Sequence, residues 1–175
     1  GVVVDAIVIE DIDGDGVTEL VYNVRDPEQD FRSFVRIRDA NTGEIEAEIA
    51  DTWCVDAVRL GLEEQWALLT YSAPNGAMPE RGDLSVRTIS KSKSLREILV
   101  LPSAHLWGPS TIMGQLLVRQ WTNTGSVLVR YAFKEGTLTQ VATSSDPSLV
   151  ASPIKEIVES TDEPAFIVSH NGSVK

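Results

Sequence analysis

Residues Asp11-Ile12-Asp13-Gly14-Asp15-Gly16-Val17-Thr18-Glu19 lie between two runs rich in β-branched residues, Val2 to Ile9 and Leu20 to Val24. Runs of that composition read as strands, so the acidic segment is expected to be a bend joining two strands. A helix-flanked calcium loop would need a glutamate at its twelfth position, which is Tyr22 here. Carboxylates at loop positions 1, 3, 5 and 9 (Asp11, Asp13, Asp15 and Glu19) can turn inward around one hard cation. The Val17 carbonyl can supply a further oxygen, and water can complete the shell. Calcium takes about six to eight such oxygens at roughly 2.3–2.6 Å, whereas magnesium demands a stricter octahedron and keeps its waters. Gly14 and Gly16 permit the positive φ angles of so tight a wrap. The expected metal ligands are therefore Asp11, Asp13, Asp15, Val17 and Glu19, and the expected ion is Ca2+. Read without a metal, the same aspartates cap a turn, but Glu10, Asp11, Asp13, Asp15 and Glu19 then repel one another.

A faint repeat follows. Val4-Asp5-Ala6-Ile7-Val8-Ile9 recurs as Val55-Asp56-Ala57-Val58-Arg59-Leu60, about fifty residues on. Leu20-Val21-Tyr22 is matched by Leu68-Leu69-Thr70-Tyr71. Phe34 to Arg38 finds counterparts in Leu84 to Thr88 and in Leu128 to Tyr131. Four strands per period of this length predict an all-β fold of β-propeller blades. The expected units are 2–50, 51–102, 103–144 and an incomplete 145–175. In the first, Arg36 and Arg38 are expected beside Glu44, Glu46 and Glu48, with Ile45, Ala47 and Ile49 facing inward. The second replaces the acidic loop with Gly61-Leu62-Glu63-Glu64-Gln65, which lacks the aspartate spacing. The first strand of the third is obscure, because His105-Leu106-Trp107-Gly108-Pro109 breaks the pattern.

Over Val4 to Tyr22 the chain resembles the integrin-alpha-like FG-GAP/VCBS repeat. That repeat is a four-stranded propeller blade with an Asp-x-Asp-Gly-Asp-Gly-x-x-Glu/Asp loop between its first two strands. About three and a half blades leave apolar faces uncovered. The expectation is a part of a longer propeller, a ring completed by a partner chain or a second copy, or a small closed ring.

Other residues point to chemistry less sharply. A net charge of −11 and a pI near 4.6 offer no basic stripe for nucleic acid. No stretch approaches the roughly 18 apolar residues of a membrane span. His105 and His170 stand outside any nucleophile or metal pattern, and the lone Cys54 is expected to be a buried thiol. Of Trp53, Trp66, Trp107 and Trp121, only Trp107 sits outside a clear strand, where it could stack on a sugar. Arg81-Gly82-Asp83 spells an adhesion tripeptide, a match short enough to arise by chance, in a long loop from Ala73 to Asp83. Asn171-Gly172-Ser173 fits a glycosylation sequon and reads as a hairpin turn.

The function these features favour is a calcium-stabilised, non-enzymatic propeller. Its rim loops would bind a protein or glycan in adhesion or scaffolding. Calcium loops of modest affinity suit the exterior, the cell surface or the periplasm; a cytosolic scaffold is the alternative setting. The alternative function is the propeller of a polysaccharide lyase or another carbohydrate-active enzyme.

Overall fold

The computed structural model describes residues 3–29, 31–62, 65–73, 81–105, 110–112, 114–145, 169–170 and 173–174. Among the described residues the β-branched runs form strands, because such side chains pack well on a pleated, half-buried surface. Strands β1 (Val3–Glu10), β2 (Glu19–Asp26), β3 (Arg32–Asp39) and β4 (Ile45–Ala50) make a four-stranded antiparallel sheet in sequence order. A second meander follows with β5 (Thr52–Leu60), β6 (Gln65–Ser72), β7 (Arg81–Ile89) and β8 (Leu95–His105). A third contains β9 (Ser110–Ile112), β10 (Gln115–Thr122), β11 (Gly125–Lys134) and β12 (Thr137–Ser144). The second and third meanders share one sheet, ordered β12-β11-β10-β8-β7-β6-β5, with β9 paired to β10 at its side. Among the described residues, the register pair joining β8 to β10 is Ala104 with Gln120. Two short strands, β13 (Ser169–His170) and β14 (Ser173–Val174), pair with each other. The molecule is thus all-β with two main antiparallel sheets, and among the described residues neither closes into a barrel or a ring.

Successive meanders bury their faces against each other. Val21, Val35 and Ile37 of the first pack with Cys54, Leu68 and Ile89 of the second, and Ile12 of the acidic loop joins them. A larger core unites Leu69, Tyr71, Leu84 and Val86 of the second with Leu116, Val118, Val129 and Tyr131 of the third. Where β5 turns into β6, Gly61 N–H donates to the Gly114 carbonyl of the corresponding loop in the third meander at 2.8 Å. A Cβ on Gly114 would lie 2.6 Å from the Gly61 oxygen, so only glycine permits this approach.

Each meander carries an extra residue midway along its fourth strand, and β8 has a second irregularity where Pro102 and Ser103 oppose Asp83. The registers step over Glu46 in β4, Ile98 in β8 and Val141 in β12. By contrast, the pairings β2–β3, β6–β7 and β10–β11 are unbroken. The bulge at Glu46 overturns the expected alternation of β4 at Ile45 and Glu46 alone, since Ala47 and Ile49 pack inward as expected. A bulge re-aims a side chain, and here Glu46 turns away from solvent to 11% side-chain exposure while Ile45 is left 43% exposed. Arg36 does meet Glu48, at 2.5 Å; Arg38 instead lies over the Tyr22 ring.

Two expectations in the second meander also change. β8 runs through Pro102 to His105, past the expected end of the second unit at residue 102. Pro102 is exposed and Ser103 has a φ of +53°, so the proline falls at an irregular point where no ladder hydrogen bond is lost. The extension pairs Arg81 with His105 and Gly82 with Ala104. The adhesion tripeptide therefore opens β7 instead of lying at a loop tip. β9, which the sequence left obscure, is only three residues long. Trp107, residues 74–80 of the long loop, the Asn171-Gly172 turn and most of the fourth unit lie outside the described residues.

A polar clasp crosses the seam between the first two meanders. Asn23 is 1% exposed; its amide donates to the Cys54 carbonyl at 2.7 Å and accepts from the Cys54 N–H at 2.8 Å. Cys54 is fully buried as expected, and burial pushes its thiol up to about 12. Replacing Asn23 with leucine strands both backbone groups of Cys54 in the core, at roughly 1–3 kcal/mol each. Urea unfolding of Asn23→Leu should show at least ~2 kcal/mol of lost stability; a midpoint equal to that of the wild type would refute the clasp.

Candidate metal centre

The acidic loop leaves β1 at Glu10 and enters β2 at Glu19. Its carboxylates first organise their own backbone. Asp11 accepts from the N–H groups of Gly14 (2.7 Å) and Gly16 (3.0 Å), Asp13 from that of Asp15 (3.0 Å), and Asp15 from that of Val17 (2.8 Å). Gly14 and Gly16 take φ values of +78° and +93°. This winding brings ligand oxygens of Asp11, Asp13 and Asp15 within 4.8 Å of one another, a spacing that could hold a metal ion. The loop also docks on the β3–β4 turn, where Ala40 N–H donates to the Thr18 carbonyl at 2.9 Å.

Glu19 and Val17 enter differently. Glu19 is fully buried, and its Oε2 accepts from the Ile12 N–H at 2.9 Å. Its Oε1 is buried with no hydrogen-bond partner among the described residues. Burial raises the Glu19 carboxyl above its ordinary range; the nearby charges of Asp13 and Glu46 push the same way, against the Ile12 N–H. Val17 contributes its N–H to Asp15.

Sequence reasoning missed two residues. Lys93, in the β7–β8 turn, sends its ammonium to Asp15 Oδ2 (2.7 Å), Asp13 Oδ2 (2.9 Å) and Glu46 Oε1 (2.9 Å). The Asp13 side chain is wholly buried there and that of Lys93 is 28% exposed. The hydrogen bond from Lys93, with help from the Val17 N–H, holds Asp15 below its usual range. Reciprocally, Asp15 and then Glu46 raise Lys93 well above the ordinary lysine range. No local pattern announces a lysine 78 residues away from the aspartate it neutralises. Glu46 was hidden because its inward turn depends on the bulge.

Beside the loop lies an open cleft of about 410 Å³, bordered by Asp11, Asp13, Gly14, Gln65, Trp66 and Lys91. That volume is within the range of small-molecule sites. Trp66 is half-buried, with the Arg59 guanidinium 4.8 Å from its ring centroid. The other described indoles differ: Trp53 is buried, while Trp121 is 38% exposed and stacks on His105 at 4.5 Å.

The donor set suits a hard divalent cation. It consists of carboxylate oxygens, and three buried ones, Asp13 Oδ2, Glu19 Oε1 and Glu46 Oε2, have no hydrogen-bond partner among the described residues. Among the described residues, no helix is long and apolar enough to cross a membrane. Compared with family models, curated proteins and solved structures, the chain matches none.

Proposed function

We propose that this chain is part of a calcium-stabilised β-propeller of the FG-GAP/VCBS kind. It serves as a binding or scaffold module whose exposed rim meets a protein or a glycan. The observation that carries the reading is the convergence of Asp11, Asp13 and Asp15 between the first two strands of a four-stranded meander. Three such meanders joined by shared apolar cores support it, as does β5 touching both β1 and β9, the first strands of its neighbours. In this reading the faces left at either end of the stack are covered by further blades, from a partner chain or a second copy. A site of modest affinity is loaded where calcium is millimolar, which suits an extracellular, cell-surface or periplasmic setting.

Calcium here acts locally. It gathers oxygens that otherwise repel, and its affinity for the folded state adds to stability by linkage. Saturating calcium at about 100 times its Kd should add about 2.7 kcal/mol. Chelation should therefore lower the melting temperature while the far-ultraviolet β-signal persists below it. An unchanged melting temperature with and without a chelator would refute the calcium reading.

One observation favours the lyase alternative: Lys91 borders the same cleft as Asp11 and Asp13. A lysine beside a calcium-held uronate is a candidate base for β-elimination. The binding-module reading predicts that polygalacturonate incubated with the protein and calcium gains no absorbance from an unsaturated product; a time-dependent gain would make the chain an enzyme.

A further inference from the structure

We propose that Glu46 is a ligand of the divalent-cation site and that Lys93 is its built-in competitor, so that an ion enters by displacing the Lys93 ammonium from Asp13, Asp15 and Glu46. The inference rests on the reading of the acidic loop as a divalent-cation site and adds to it a residue from another strand and a gate from another sheet.

The geometry marks the cation position directly. The Lys93 nitrogen lies 2.7–2.9 Å from oxygens of Asp13, Asp15 and Glu46, a point that a positive charge already prefers. Two of these carboxylates come from the loop and the third from the β4 bulge, whose extra residue is Glu46 itself. An ammonium has three donors, but only its contact with Asp15 has hydrogen-bond geometry; Asp13 Oδ2, 2.9 Å away, is buried with an ion-pair contact and no hydrogen bond. Glu19 Oε1 and Glu46 Oε2 are left buried with no partner. A divalent ion, with room for about six to eight oxygens, can engage carboxylates that the ammonium cannot satisfy.

For the ammonium to leave, only the side chain of Lys93 need move. Its φ of +62° is left-handed, a conformation that disfavours any side chain and that glycine or asparagine would adopt more readily. The turn is otherwise held by its own backbone, with Lys93 N–H donating to the Ser90 carbonyl at 2.8 Å and Ser90 N–H to the Ser94 carbonyl at 3.1 Å. The side chain can swing out without dismantling that turn. Ammonium and divalent ion cannot share one position, so the apparent affinity for the ion is lowered by the fraction of molecules in which Lys93 is docked.

Calorimetric titration of the full chain with calcium chloride tests this. K93M and K93G, the second of which accepts the positive φ without strain, should each bind calcium at least about tenfold more tightly than the wild type. In the K93M background, where no lysine remains to be released, adding E46Q should weaken binding at least about fivefold. In the wild type, calcium should shift the side-chain ammonium and methylene NMR signals of Lys93 to those of a solvated lysine, a readout that needs no variant to fold. Calcium binding by the lysine variants alone would be the limiting case in favour. Equal affinities in the wild type and both lysine variants would overturn the competition while leaving the loop reading intact. An unchanged affinity in K93M/E46Q would remove Glu46 as a ligand. Folded variants that all ignore calcium would overturn the loop reading, and this inference with it.

Discussion

The architecture around the first meander depends on cancelling negative charge at one end of it. Asp11, Asp13, Asp15, Glu19 and Glu46 gather within a few residues of the β1–β2 and β3–β4 ends. Two of them, Asp13 and Glu19, are buried. Burial of unpaired carboxylates is costly, so the loop cannot order without a positive partner. Lys93 supplies that partner from the second meander, across the seam between the sheets. A local electrostatic need is thereby turned into a contact between two units of the fold.

The same seam is held in two other ways. Apolar side chains of β2 and β3 meet Leu68 and Cys54, and Asn23 clasps the backbone of Cys54 in two directions. The apolar contact is non-directional, whereas the clasp and the ion cluster fix register, since each requires a particular pair of residues to face each other. The seam between the second and third meanders works differently. It has the larger apolar core, one register pair linking β8 to β10, and a glycine-to-glycine contact between loops. The third meander contains no counterpart of the acidic loop at its β9–β10 turn, which is only two residues long. Among the described residues, the one carboxylate cluster that could hold a metal ion therefore lies in the first unit.

Much of this organisation was legible in the residues. β-branched runs gave the strand positions, and glycines with aspartates gave the bend between β1 and β2, because both signals act over a few neighbouring residues. Asp39-Ala40-Asn41-Thr42-Gly43 likewise forms its turn through local bonds, with Asp39 accepting from the N–H groups of Asn41 and Thr42. What was not legible depended on pairing between distant segments. Whether Glu46 faces in or out is decided by a one-residue slip against β3. β9 exists because β10 offers an edge to it, and β8 passes Pro102 because β7 begins early enough to pair with it. The role of Lys93 required knowing that its turn meets a loop formed 78 residues earlier. The aspartates of the candidate site could therefore be named in advance, but the lysine that neutralises them and the glutamate that completes their cluster could not.

The central claim is that a cation position exists among these carboxylates and that the Lys93 ammonium holds it until a divalent ion takes it. The most direct test is anomalous difference density from a crystal of the chain saturated with calcium. The account predicts a calcium peak enclosed by the carboxylates of Asp11, Asp13, Asp15 and Glu46, with the Lys93 side chain turned out of the loop. Density showing Lys93 still bound to Asp13 and Asp15 at saturating calcium, with no peak among the aspartates, would contradict it.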